Sequence, residues 1–335
     1  MMEKKKNQKK ENGQYFTITN PFGLEIFDKW FNLVYKNETI LEPFAGSNNI
    51  VKLINEIYPK TKFKSFDIDT SFKNLYPHVK ITKRDTLKSF PRGFKVAITN
   101  PPYLARNSAT RNNLLYPETE YDDMYKYSLD TMLSHVDNVA AIIPESFITS
   151  GLFLDRLYAV ASLTTKMFND TECPVCLAMF VKDKKSVKLE KDNYLLYHMN
   201  EYIGEYKDMS KKVALFLSDR DKIEWKFNDK NGNIGIKCID DTKKPTICFV
   251  EGIKIEKSKI KVSSRSLTRV SGLPKDIKKE KFIDKCNSLI ERYREKTKDI
   301  FLTSFKGLRS DNNYRRRLDF KTARQIMNKA LEEIG

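Results

Sequence analysis

The sequence predicts an α/β fold, with a Rossmann-like, doubly wound sheet in its first half and a mainly α or α+β region after it. Three observations predict this. From Thr39 to about Phe180, short apolar runs alternate with amphipathic stretches, most runs end in polar or turn residues, and the pattern stops at VKDKKSVKLEKD, which reads as a linker. Strands alternating with helices pair mainly in parallel, and a sheet covered on both faces is built from continuous apolar runs. The expected division is residues 1–182 and residues 183–335.

In chain order, ETILEPF, FKSFDID, HVKIT, FKVAITNPPY, VAAIIPESF and CLAMFV read as strands. Residues 48–58 and 121–135 have the apolar spacing of amphipathic helices, as do 277–296 and 321–333 farther on. No internal repeat is visible.

The chain has 335 residues, 40% of them hydrophobic and 12% aromatic, which suits a folded protein and argues against global disorder. Its formal charge is +17 and its pI about 9.4. That excess points to a polyanionic partner, although a Lys/Asn-rich composition bias gives the same signal. No run approaches the roughly 20 apolar residues of a membrane span, and MMEKKKNQKKEN lacks the apolar core of a signal peptide. A cytoplasmic, membrane-free protein is expected. Cys173 and Cys176 form a CPVC without the second close pair that a zinc site wants, and His78, His135 and His198 have no ligand spacing. No metal is expected.

In sheets of this kind ligands bind beyond the carboxyl ends of the strands. Asn100-Pro101-Pro102-Tyr103 follows directly on the strand KVAIT. An amide oxygen and a backbone carbonyl can both accept hydrogen bonds from the exocyclic amino group of adenine. That favours a pyramidal nitrogen with a lone pair free to attack an activated methyl group. Two prolines hold those acceptors rigidly, and an aromatic fourth residue can stack on a base turned out of a duplex. Alone, the tetrapeptide could equally be a turn closing a strand. Ile40–Ser47 is a strand followed by a glycine turn and a helix, which lets backbone approach a cofactor and aims a helix N-terminus at its carboxylate. Asp67 ends the next strand, where an acid commonly binds ribose hydroxyls, and Asp85 follows the third. Either could instead cap a helix.

Taken in order, these segments resemble the γ-class amino-methyltransferases of type II restriction–modification systems. Gly13-Gln14-Tyr15-Phe16-Thr17 is similar to the segment that closes over the cofactor in that class. ILEPFAGS resembles motif I, Asp67 falls on the motif II acid, Asp85 on motif III, and Asn100–Tyr103 on the motif IV of adenine-specific members. AAIIPESF resembles motif VI, and KMFNDTECPVCLAMF resembles motif VIII. The resemblance covers roughly residues 12–182. It implies S-adenosylmethionine as cofactor, held by Gln14, Tyr15, Phe16, Thr17, Glu42, Pro43, Phe44, Ala45, Gly46, Asp67, Ile68, Asp85, Thr86 and Asn100. It also implies catalysis by Asn100, Pro101, Pro102 and Tyr103, with Phe168 stacking on the other face of the flipped adenine. Two departures stand out. Asn48 occupies the place of the usual second motif I glycine, and Ile18 follows Thr17 where proline is common.

In that class the target-recognition region comes last, where this chain is most basic. Arg265, Arg269, Arg309, Arg315, Arg316 and Arg317 are candidates for contact with double-stranded DNA, with Tyr314 beside them. A monomer is expected, and any restriction endonuclease acting at the same site should be a separate protein. The same tetrapeptide suits methylation of adenine in RNA or of a protein glutamine. A catalytically silent DNA-binding relative is the remaining alternative.

Overall fold

The computed structural model describes Thr17 and residues 19–164, 167–168, 172–220 and 223–334. Gln14, Tyr15 and Phe16, expected at the cofactor, lie outside the described residues. The chain divides into two compact units, Met1–Tyr202 and Ile203–Gly335.

The first unit is built on β1 (Ile40–Glu42), β2 (Phe63–Asp67), β3 (Ile81–Lys83), β4 (Val96–Thr99), β5 (Asn138–Pro144), β6 (Leu157–Leu163), β7 (Val175–Phe180) and β8 (Leu195–His198). The sheet runs β3-β2-β1-β4-β5-β7-β6-β8, and β9 (Glu201–Glu205) completes its order where the unit ends. Among β1 to β8, pairing is parallel except at β7, which is antiparallel to both β5 and β6. The runs read as strands are strands because both faces are covered: every residue of β1, β4 and β7 is buried.

Three helices matter for the site: α1 (Glu25–Val34), α2 (Asn49–Ile57) and, after α3 (Arg106–Arg111), α4 (Met124–His135). In α1, Ile26, Phe27, Trp30, Phe31 and Val34 recur on one face and are buried. The Trp30 indole N–H donates to the Phe180 carbonyl at 3.1 Å, satisfying its one polar atom inside the core. Cys176 is a buried strand residue of β7, as the chain alone suggested. Among the described residues no group of side chains could hold a metal.

The expected boundary after residue 182 is displaced. Residues 183–202 fold with the first unit, because β8 pairs in parallel with β6 from Ala159–Leu195 to Ser162–His198. The linker-like lysines are instead a surface connection; Lys184 is buried and donates to the carbonyls of Leu154 at 2.8 Å and Lys191 at 3.1 Å.

The second unit is α+β. A four-stranded sheet, in the order β10-β13-β11-β12, comprises β10 (Lys226–Phe227), β11 (Ile234–Lys237), β12 (Cys248–Glu251) and β13 (Leu267–Ser271). A hairpin follows, β14 (Thr303–Leu308) and β15 (Tyr314–Arg317), with helices α5 (Tyr206–Ala214), α6 (Lys279–Thr297) and α7 (Phe320–Ile334). Trp225, Phe249, Phe282, Leu289 and Ile326 belong to its own buried core. Among the described residues no helix is long and apolar enough to cross a membrane.

Candidate active site

The site begins at the turn after β1. Gly46 has φ +51 and its N–H donates to Asp67 Oδ2 at 2.7 Å. Asn48 follows with φ +59, so the position where a second glycine was missing still adopts the left-handed turn, the one asparagine reaches most readily among branched choices. Its side chain is turned away from the turn: Nδ2 donates to Asn74 Oδ1 at 3.1 Å and to the Val79 carbonyl at 2.8 Å. The two bonds tie the turn to the β2–β3 connection, and α2 starts at the next residue.

Asp67 serves two loops. Besides Gly46, its Oδ1 accepts from the Asp69 N–H at 2.8 Å. Burial raises its pKa, against the opposing effect of those amides. Thr86 Oγ1 donates to the Pro43 carbonyl at 3.1 Å, joining the third strand's end to the motif I turn. Asp85 accepts from the Lys88 N–H at 3.2 Å, so it also caps its own turn.

These residues open onto one cleft of about 1010 Å³, lined by Thr17, Phe44, Ala45, Gly46, Asp67, Ile68, Asp85, Thr86, Asn100 and Pro102. Small-molecule sites run from roughly 300 to 1,000 Å³, so the cleft has room for a nucleoside-sized cofactor and part of a second group. Ile68, 58% exposed, presents an apolar wall within it. Met124 and Tyr127, at the start of α4, supply further wall, with the Asn113–Pro117 loop. Sequence reading passed over these residues; the available signal was an aromatic and a methionine opening the helix that follows the NPPY strand end. The lining joins apolar Ile68, Leu87 and Leu114 to the carboxylates of Asp67, Asp69 and Asp85, a composition that suits the flat base and ribose hydroxyls of S-adenosylmethionine. Replacing Asp67 by alanine is expected to weaken S-adenosylmethionine binding well before it disturbs the fold. Calorimetry checks it: unchanged affinity in a normally melting variant removes Asp67 from the cofactor site.

Glu42 stands behind the turn and not in the cleft. Its Oε1 accepts from Thr99 Oγ1 at 2.6 Å and from the Phe44 N–H at 2.9 Å, while Oε2 is buried and unpaired. Burial pushes its pKa up to about 8, from an ordinary 4.5, despite those two bonds. A carboxyl whose pKa is raised on folding binds its proton more tightly when folded, so stability falls as pH rises from 4.5 towards 8. Glu42→Gln, which resembles the protonated acid, is expected to flatten that decline. Urea denaturation across the range tests it, and an undiminished slope would place the titration elsewhere.

Asn100 sits at the end of β4, where its Nδ2 lies 3.5 Å from Thr17 Oγ1. The Tyr103 hydroxyl is 2.5 Å from Asn100 Oδ1 and 2.6 Å from the Ile142 carbonyl, and its proton can serve either. Tyr103 is 8% exposed and Phe168 is 0% exposed. Their rings meet edge to face, centroids 6.1 Å apart at 74°, and Thr17 and Phe168 form an antiparallel bridge. The structure thus brings the two expected stacking rings together, but not as parallel walls with a gap. This corrects the expectation of two free faces: with its hydroxyl on two oxygens, Tyr103 packs inward. Pro43, Pro101, Tyr103 and Phe168 do not line the cleft.

The C-terminal candidates divide. Arg265 is exposed, and Arg315 and Arg317 are partly so. Arg269, Arg309, Tyr314 and Arg316 are buried, Arg316 to 1% exposure, which corrects their reading as DNA contacts. Arg309 is committed to Asp240, Asp299 and Asp311, and Arg269 to the carbonyls of Ile255 and Lys230. A run of arginines in a hairpin alternates between faces, so half of YRRR points inward.

The sheet order, the glycine turn and the cleft at the strand ends together define a Rossmann-like, doubly wound α/β fold. Residues 19–185, close to half of the chain, match the family described as Eco57I restriction-modification methylase. That match sets residues 19–185 beside restriction–modification methylases in sequence. No curated protein matches the sequence. Among solved structures, a putative class I S-adenosylmethionine-dependent methyltransferase from Listeria monocytogenes is 16% identical, with TM-score 0.40, covering 55% of this chain and 68% of that one. The methyltransferase subunit of a type I restriction–modification system from Streptococcus thermophilus is 15% identical, with TM-score 0.40, covering 59% and 52%. A modification subunit of a putative type I restriction enzyme from Vibrio vulnificus is 13% identical, with TM-score 0.37, covering 58% and 49%. The chain thus spans about half the length of the two type I subunits.

Proposed function

We propose that the protein methylates the exocyclic N6 of adenine in duplex DNA, as the modification component of a restriction–modification system or a solitary relative. The observation that carries this reading is Asn100 on the wall of the cleft that Gly46, Asp67 and Ile68 also line, followed by two prolines and a tyrosine. S-adenosylmethionine supplies a methyl group already activated on a sulfonium. Asn100 Oδ1 and the Pro101 carbonyl accept from the target amino group and turn its lone pair towards the donor, so no strong base is needed. Tyr103 hydrogen-bonds the same Asn100 oxygen, whose second lone pair is left for the adenine amino group. Stacking on the base requires the buried Tyr103 ring to turn outward, and it helps to offset the few kcal/mol of base extrusion. The second unit, with Arg265, Arg315 and Arg317 towards solvent, is the region that engages the duplex.

The test is modification-sensitive long-read sequencing of DNA from a methylation-deficient host producing the protein. N6-methyladenine confined to one short sequence is expected. No modified adenine with soluble protein present would remove this reading in favour of an RNA or protein substrate.

A further inference from the structure

The strongest concentration of exposed positive charge in the second unit lies in one loop, between β12 and β13. Residues 252–266 carry Lys254, Lys257, Lys259, Lys261 and Arg265 against a single carboxylate, Glu256. All five cations are exposed, while Ile255 and Ile260 between them are buried. Two apolar anchors therefore seat the loop on the unit with its charges outward. Among the described residues Lys254, Lys261 and Arg265 form no ion pair; Lys259 meets Glu256 at 2.9 Å, and Lys257 donates to Asn231 Oδ1 at 3.1 Å.

A lysine-rich loop needed only for solubility has no reason to be held in one shape, yet this one is braced from below. Buried Arg269 donates through Nε to the Ile255 carbonyl at 2.7 Å, through Nη2 to the same oxygen, and through Nη1 to the Lys230 carbonyl at 3.0 Å. Asn228 Nδ2 donates to the carbonyls of Val262 at 3.0 Å and Ser264 at 3.2 Å, holding the distal half. Gly252, where the loop begins, backs so closely on the Gly232 carbonyl that no Cβ fits. The braces leave Val262 98% exposed beside Lys261, an apolar side chain held out among cations.

The geometry points to this loop as the surface by which the second unit grips the backbone of duplex DNA, an inference that rests on the DNA reading above. Lys254, Lys257, Lys259, Lys261 and Arg265 meet phosphates, and Val262 meets the sugar edge between them. Arg269 and Asn228 are positioning residues: they touch no phosphate and hold the carbonyl framework from which the cations project. A loop ordered before contact loses less conformational freedom on binding. Phosphate contacts position a protein on any sequence and carry no sequence information themselves.

The test uses the full chain and a Lys257→Gln/Lys259→Gln/Lys261→Gln variant in a salt series. Binding is followed by fluorescence anisotropy on a duplex with the methylated site and on an unrelated one. Each lost phosphate contact lowers the slope of log K against log salt by about 0.9. The variant should therefore lose roughly 2 to 3 in slope on both duplexes, with S-adenosylmethionine binding and melting unchanged. Asn228→Ala removes a brace and no charge, so affinity should fall several-fold at every salt concentration while the slope stays. Unaltered slope and affinity in the triple variant, with the parent protein binding both duplexes, would overturn the loop's role and leave the DNA reading intact. A parent protein that binds no duplex would overturn both, and one that prefers RNA of equal length would overturn the choice of partner.

Discussion

Asn100→Ala is expected to abolish methyl transfer while leaving S-adenosylmethionine binding within a few-fold of the parent protein. The two effects separate because, in the proposed reaction, the Asn100 carbonyl serves the group that attacks and not the donor. Removing one preorganised polar group from a reacting centre typically costs on the order of 10²–10³ in rate. Here the loss should be at the upper end, since the variant leaves the Pro101 carbonyl as the remaining acceptor for the amino group. The same change deletes one of the two acceptors of the Tyr103 hydroxyl; the Ile142 carbonyl, 2.6 Å away, remains, so the ring should keep its place. Burial raises the Tyr103 pKa well above its usual value, so the hydroxyl stays a donor across the working range. Single-turnover methylation beside calorimetric titration of the cofactor checks the prediction. Parallel loss of both functions would make Asn100 a support of the cleft.

The second large effect is expected far from the chemistry. Asp240, 0% exposed, receives Arg294 in a two-pronged contact, Nη1 to Oδ1 at 2.9 Å and Nη2 to Oδ2 at 2.7 Å. Arg309 adds a bond at 3.0 Å, and the N–H groups of Thr246 and Arg316 add others at 2.8 and 3.2 Å. Removing Asp240 leaves Arg294 and Arg309 to share Asp299 and Asp311 and strips the buried amides of their acceptor, and losing one partner of a buried pair costs roughly 3–5 kcal/mol. Asp240→Ala should lower the stability of the second unit by that amount. Its exposed neighbour Asp241 is a suitable control, since Asp241→Ala deletes only turn bonds to Lys243 and Lys244. Denaturant unfolding distinguishes them, and equal, small losses would show the network to be dispensable. The pH dependence has a definite sign. Burial alone would raise the Asp240 pKa, but the Arg294 contact and the Thr246 and Ile247 amides hold it below its ordinary 3.8. A carboxylate depressed on folding contributes above its unfolded pKa and loses that contribution as pH falls through the folded value. The second unit should therefore weaken in acid below pH 3.8.

The network explains why arginine-rich sequence was a poor guide to the DNA surface. Arg309 and Arg316 sit in the arginine-rich stretch of residues 306–317, yet both are spent inside the unit. The exposed lysines of residues 254–261 carried no motif, and only burial of Ile255 and Ile260 separates them from an ordinary polar run. The first unit was far more legible. Six of its strands follow apolar runs visible in the chain, and Asn100, Asp67 and Gly46 fall at strand ends because parallel sheets leave their loops there. Residues 157–163 and α1 escaped notice: LYAVASL is bounded by no glycine or proline close by, and EIFDKWFNLV lies between the GQYFT segment and motif I, outside either.

By itself, then, the sequence determined six strands of the first unit in their order, the place of Asn100–Tyr103 at the end of β4 and the left-handed turn that Asn48 sustains. Each of these depends on a few consecutive residues whose side-chain pattern and backbone preferences are local. Only the tertiary structure decided that β8 extends the first unit past residue 182, that Tyr103 rests on Asn100 beside Phe168, and which arginines face water. Those outcomes turn on pairings between residues tens of positions apart, where burial and the satisfaction of polar groups, and not local propensity, select the arrangement.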